Sequence, residues 1–264
     1  LARYATMAWG SSAQREQYVY YSVRYDSDKN VFDNAVNIRK LLADEFPNKK
    51  VIIIAHSMGG MISRAMLNKF HPDGETLLNK FHPDGEAFAE WSNGGIERII
   101  SLNTPYHGTP FVQQVHGSLQ LADEMQLQKI PITSGVLAFF QLTTPGTLCL
   151  AWDDYDGKFS GLDVYKNPDL LELNQLGGND PLLQYYTFGT TIVAAQTRGV
   201  VDLLLHLTGS WVASAGYSND GIVPKVSAHL RGTDNAVRTV EMGSSLPHGD
   251  YHHLEVYSGT GIKK

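Results

Sequence analysis

The sequence predicts an α/β protein built on a mostly parallel sheet, and three stretches carry that prediction. "VIIIA" at Val51–Ala55 is an uninterrupted apolar run of strand length, as expected of a strand covered on both faces. "MGGMISRAM" follows it with no linker and reads as a helix from Met58 to about Phe70. "IERII" at Ile96–Ile100 repeats the apolar strand pattern and runs into the polar loop "SLNTPYHGTP", broken by Gly and Pro. Strands that alternate with helices call for right-handed crossovers between parallel neighbours.

The other elements follow in order. "YVYYSVRY" (Tyr18–Tyr25) is aromatic and β-branched and reads as a strand, with "DSDKN" behind it as a turn. "VFDNAVNIRKLLADEF" places Val31, Ala35, Ile38, Leu41, Leu42 and Phe46 at helical spacing. From Phe111 to about Leu183 the alternation stops, and loosely amphipathic pieces such as "GVLAFFQLTTPGTLCLAW" suggest an excursion from the sheet. Strand signals return at "YYTFGTTIV" (Tyr185–Val193) and at "AVRTVEM" (Ala236–Met242), with "SNDGIVPKVSAHL" between them. The chain is therefore divided into a first core segment (1–110), an inserted helical cap (111–183) and a second core segment (184–264).

Composition excludes some classes. With 264 residues, 42% hydrophobic and 18% charged, the chain can bury one sizeable core. A net charge of −6 leaves no basic surplus for phosphate backbones, so no nucleic-acid partner is expected. No apolar run reaches the roughly 18 to 20 residues of a spanning helix, and "LARYATMAWG" lacks the order of a secretory signal. Cys149 is the single cysteine, so no internal disulfide forms and the compartment stays open. "LNKFHPDGE" occurs at 67–75 and again at 78–86; a lone tandem copy reads as a duplicated surface loop, and His71, Asp73, His82 and Asp84 as loop residues rather than metal ligands.

The chemistry centres on "AHSMGG". A serine at a sharp strand-to-helix turn is a nucleophile elbow, in which a strained backbone projects the hydroxyl above the sheet. Ala55 and Gly59, two positions either side of Ser57, are small as such a turn requires. The helix amino terminus offers free N–H groups, the Met58 amide first among them, to a developing oxyanion. A serine hydroxyl needs a base, and the base needs an orienting acid. In chain order these are Asp220 of "SNDGIVP" and His253 of "YHHLE"; His252 and His248 are weaker choices of base, and Asp202 and Glu241 are fallback acids. His56 reads as a neighbour of the turn rather than a base.

Together "AHSMGGMISR", "SLNTPYHGTP", "NDGIVPKVSAHL" and "HHLEV" resemble the α/β-hydrolase lipases, in particular bacterial triacylglycerol lipases, over about Tyr18 to Val256. The resemblance implies an α/β-hydrolase fold with a lid or cap at 111–183, and hydrolysis of carboxylic esters of lipids through an acyl-enzyme on Ser57, with His253 transferring protons and Asp220 orienting it. The apolar residues Phe139, Phe140, Leu148, Leu150 and Trp152 would supply an acyl surface, and the expected partner is a lipid or small ester, met at an oil–water boundary. Relatives place a second oxyanion donor on an early His-Gly loop. No histidine precedes His56 and Gly10 is the only earlier glycine, so the donor is either in "MAWGSS" or outside this sequence, and the loop and first strands are expected to be missing from it. Relatives with a calcium site carry an Asp where Glu255 stands, and no cofactor or metal is expected here. The alternatives are a carboxylesterase for short soluble esters, a glycolipid deacylase, and a catalytically silent binding protein of the same fold.

Overall fold

A computed structural model describes residues 18–66, 95–112, 144–153, 184–191, 216–229 and 239–241, together with 167, 170, 173–174, 209–210 and 212–213. The helix expected after the "DSDKN" turn is α1, Val31–Glu45. Its amino end is fixed by Asn30, whose side chain accepts from the Phe32 amide at 2.8 Å, an N-cap that satisfies one of the free donors of the first turn. Buried Asn34 donates from Nδ2 to the carbonyls of Asp26 (2.8 Å), Asn30 (3.2 Å) and Lys29 (3.3 Å), so the preceding turn is sewn to the helix.

Strand β1, Lys50–His56, leads through Ser57 into α2, Met58–Ala65. Strand β2 spans Gly95–Leu102, β3 Gln184–Phe188 and β4 Thr239–Glu241, with the four-residue helix α3, Pro145–Leu148, between β2 and β3 in sequence. The strands form one sheet in the order β1-β2-β3-β4, every pair parallel. The register runs Lys50↔Gly95 to His56↔Leu102, with an irregularity between Val51 and Ile52, and Leu102↔Phe188 continues it across the sheet. The carboxyl ends of β1, β2 and β3 are therefore level, which is where open parallel sheets bind ligands.

Helices α1 and α2 pack on each other and α2 packs on β1 and β2. Their shared core holds Phe32, Val36, Leu42, Met61, Ile62 and Met66, with Ile53 of β1 partly buried against it. The described part of the 111–183 excursion is not peripheral to this core. Cys149, Leu170 and Leu173 belong to the same cluster, and Trp152 is fully buried. Trp152 is stacked obliquely on Tyr217 at 5.1 Å and meets the His107 ring edge-on, so it is a packing residue and not the acyl surface that its sequence neighbours suggested. Phe139 and Phe140 lie outside the described residues.

Two expectations are corrected. Residues 18–25 form no strand; Val19 is 77% exposed and Tyr21 66% exposed, and the segment touches α1 through Tyr21 on Phe46 at 4.8 Å. Aromatic and β-branched residues favour a strand only where a half-buried pleated surface receives them, and among the described residues no ladder does. Strand β1, read as covered on both faces, stands at the end of the described strand order, and its Ile54 is 38% exposed.

Candidate active site

Ser57 has φ 53° and ψ −132°. A non-glycine residue held there costs on the order of 1–3 kcal/mol and persists only where the surroundings enforce it. The enforcement is visible on both sides. The Ser57 amide donates to the Leu102 carbonyl of β2 at 3.1 Å, extending the sheet ladder by one residue, and the Gly60 amide donates to the Ser57 carbonyl at 3.0 Å, closing the first turn of α2. The Ser57 side chain makes no capping bond to α2, although serine is among the best N-caps, so the hydroxyl is not spent on the helix.

The small residues around this turn differ from expectation in one respect. A Cβ at Gly59 would sit 3.7 Å from Tyr25 Oη and 3.8 Å from the Ala55 Cβ, which is ordinary contact. A Cβ at Gly60 would lie 2.0 Å from Thr104 Oγ1 and 2.6 Å from its Cγ2. Gly60, rather than Gly59, is the position where glycine is obligatory, because there α2 meets the loop that follows β2.

Ser57 opens into a cleft of about 260 Å³. It is lined by His56, Ser57 and Met58 at the β1–α2 turn, by Tyr25, Ser27 and Asp28 from the segment before α1, and by Thr144, Thr147 and Leu150 from around α3. The last two segments are clamped together, since the Gly146 amide donates to the Asp28 carbonyl at 3.0 Å and a Cβ on Gly146 would lie 2.0 Å from the Ser27 carbonyl oxygen. Of the lining residues in these two segments the sequence pointed only to Leu150, as part of an apolar surface; the pairing of the 25–28 and 144–150 segments was not legible, because its partners are more than a hundred residues apart.

Asp220 lies in the loop between β3 and β4 and is 1% exposed. Its Oδ1 accepts from the amides of Val223 (2.7 Å) and Ile222 (3.0 Å), and its own amide donates to the Val223 carbonyl at 3.2 Å. Gly221, at φ 105°, gives the turn its sharp bend. Asn219 adds a second layer. Its Oδ1 accepts from the Gly221 amide at 2.9 Å, and its Nδ2 donates to the carbonyls of Gly209 (3.0 Å) and Tyr217 (3.1 Å).

This loop is tied to the carboxyl end of β2. Ser227 Oγ donates to the Gly108 carbonyl at 2.7 Å and accepts from the His107 amide at 3.0 Å, and the Thr109 hydroxyl donates to the Ile222 carbonyl. Asn103, left-handed at φ 46°, joins β2 to β3: its Nδ2 donates to Thr190 Oγ1 at 2.7 Å and its Oδ1 accepts from the Thr190 amide at 2.9 Å. Ser57, bonded to Leu102 at the end of β2, and the Asp220 loop, bonded to residues 107–109 that follow it, are thus both tied to the carboxyl end of β2. The fallback acid Glu241 is on β4, level with Thr187. His253, His252, His248, Asp202, Glu255 and both copies of the 67–86 repeat lie outside the described residues.

A buried network behind α2 was not anticipated. The Arg64 guanidinium, 1% exposed, donates from Nε to Asn174 Oδ1 at 3.1 Å and from one terminal nitrogen to the Asn174 carbonyl at 3.4 Å. Its place in the last turn of α2 puts the cation at the negative end of the helix dipole. Asn174 Nδ2 donates in turn to the Tyr106 carbonyl at 2.7 Å. Next to it His107 Nδ1 and Asp153 Oδ2 are 2.7 Å apart with both side chains buried. This pair resembles a base and its acid, but neither residue lines the Ser57 cleft; it joins the loop after β2 to residue 153 of the excursion. Among the described residues no group of three His, Cys, Asp or Glu side chains could hold a metal ion, and no helix is long and apolar enough to cross a membrane.

The parallel sheet with helices packed on it is a fold this chain shares with solved bacterial lipase structures. The particular likeness is to the lipase BlEst2 of Bacillus licheniformis: the mature form matches with a TM-score of 0.57 and 18% identity over 96% of this chain and 82% of that one. The propeptide form of the same lipase matches with a TM-score of 0.50 and 18% identity over 97% of this chain and 45% of that one. The family model described as lecithin:cholesterol acyltransferase matches residues 26–136, a span that contains the Ser57 turn. No curated protein matches the chain.

Proposed function

We propose that the protein is a serine hydrolase that cleaves carboxylic esters of lipids through an acyl-enzyme. Ser57 attacks the ester carbonyl, His253 takes the serine proton and passes it to the departing alcohol, and Asp220 holds the imidazole in the required tautomer. The Met58 amide, at the amino end of α2, donates to the oxyanion. Water then repeats the sequence on the acyl-enzyme and frees the acid. The observation that carries this reading is the Ser57 backbone, held at φ 53° between β1 and α2 at the edge of a cleft that Ser57 lines. The family match and the lipase likeness support the choice of an ester substrate. The 111–183 segment is taken as a cap whose 144–153 base is anchored in the core and whose Leu150 faces the cleft.

Substitution of Ser57 by Ala should lower hydrolysis of a p-nitrophenyl ester by about 10⁴-fold or more, and a fluorophosphonate probe should label the parent and not the variant. Parent-level turnover in Ser57→Ala would remove the assignment. Rates on short and long acyl chains, below and above the solubility limit, separate a lipase from a carboxylesterase. Failure of the parent to react with the probe would favour the silent binding protein instead.

A further inference from the structure

We propose that the Tyr25 side chain is a catalytic residue, its hydroxyl donating a hydrogen bond to the oxyanion that forms when Ser57 attacks an ester. The inference rests on the reading of Ser57 as nucleophile. Tyr25 lines the same cleft as Ser57 and Met58. Its Oη is 3.7 Å, and its Cε1 3.9 Å, from the point where a Cβ on Gly59 would stand, so the phenol lies over the first turn of α2, where the Met58 amide is placed. Among the described residues the Tyr25 hydroxyl makes no hydrogen bond, so its proton is available to a ligand.

Position and protonation both suit the task. Tyr25 immediately precedes Asp26, whose carbonyl is held by buried Asn34 at 2.8 Å, so the phenol extends from a turn fixed to α1. A donor that is already in place needs little reorganisation as charge develops. Tyr25 is 36% exposed, and its partial desolvation raises the phenol pKa above its ordinary value, so the hydroxyl keeps its proton through neutral and mildly alkaline pH. In the addition step the serine oxygen bonds to the carbonyl carbon, the π pair moves onto the carbonyl oxygen and the serine proton passes to the imidazole. Tyr25 lends a hydrogen bond and transfers no proton. When the tetrahedral adduct collapses, the carbonyl re-forms, the alkoxide leaves with the proton from the imidazolium, and the hydrogen bond weakens again.

Tyr25→Phe keeps the ring and removes only the donor. On soluble p-nitrophenyl acetate we expect kcat to fall between about 10- and 10³-fold, the range for loss of one oxyanion donor, with KM within about twofold and an unchanged melting temperature. A boronic acid that forms a tetrahedral adduct with the serine should lose affinity in the same proportion as kcat/KM, a change that a merely structural tyrosine would not produce. Parent-like kcat in Tyr25→Phe overturns the proposal, and so does a raised KM with kcat preserved, which would make Tyr25 a binding wall. A fall in kcat with unchanged boronate affinity also overturns it. Full activity in Ser57→Ala would instead remove the nucleophile reading, so the two failures are distinguishable.

Discussion

The turn that carries Ser57 and the turn that carries Asp220 are both tied to the carboxyl end of β2 and are held by opposite means. The serine turn is enforced by backbone and steric contact: a ladder bond to Leu102, a positive φ, and α2 pressed so closely on Thr104 that no Cβ fits at Gly60. The aspartate turn is built from side chains, with Asp220 Oδ1 collecting two amides and Asn219 bonding to three backbone groups. A steric turn should fail abruptly when its volume changes. A hydrogen-bonded turn should fail in steps as partners are removed, and can keep its shape while losing its charge.

The largest expected effect separates charge from shape at Asp220. Asp220→Asn retains an acceptor for the amides of Ile222 and Val223 and so should melt close to the parent, yet a wrong imidazole tautomer should lower kcat by about 10⁴-fold. Asp220→Ala should lose comparable activity and also about 1–3 kcal/mol of stability, because the buried Val223 amide and the part-buried Ile222 amide both lose their acceptor. Parent activity in Asp220→Asn, measured with a soluble ester, would show that the loop is architectural and move the search for the acid elsewhere.

At the serine turn, Gly60→Ala is the matching test. Thr104 lies 2.0 Å from the new methyl through Oγ1 and 2.8 Å through its own Cβ, so rotation of the threonine does not make room. A loss of about 3 kcal/mol is expected in chemical denaturation, accompanied by a fall in activity as Ser57 is displaced. Asn219→Ala should be milder, at about 2 kcal/mol, and should leave kcat nearly unaltered in the fraction that remains folded. If Gly60→Ala proved the gentler of the two, the contrast between the turns would be wrong.

The legible parts of the molecule were those fixed by local pattern. The spacing of Val31, Ala35, Ile38 and Leu42 marks α1 to within a residue at its carboxyl end, and the apolar run at 51–55 marks β1. The Ser57 elbow was legible because strand, small residues and helix are contiguous. What was not legible depends on distant partners. Tyr18–Tyr25 has the composition of a strand, but composition does not supply a neighbour to pair with. Trp152 reads as an open apolar surface until Tyr217 and His107 are found on either side of it. Two of the segments that line the cleft are joined by one amide-to-carbonyl bond between Gly146 and Asp28, a pairing with no periodicity to betray it. Gly59 and Gly60 are indistinguishable as letters, and only Thr104, from the next strand's loop, tells them apart.

That difference gives the smallest and most discriminating expectation. At Gly59 a methyl would meet Tyr25 and Ala55 at contact distance, neither crowded nor in a void, and the residue lies within α2 with no positive φ. Alanine restricts the unfolded chain and favours the helix, so Gly59→Ala should raise stability by about 0.5 kcal/mol. The sign is therefore opposite to that of Gly60→Ala one residue along, although both changes add the same methyl to the same helix turn. Activity should stay within about twofold of the parent if the methyl fits beneath the Tyr25 hydroxyl without moving it. Thermal denaturation of the two variants side by side is the measurement. A shared loss of stability would mean that the whole Gly-Gly pair is sterically closed, and would place the limit on the turn at Ala55 and Tyr25 as well as at Thr104.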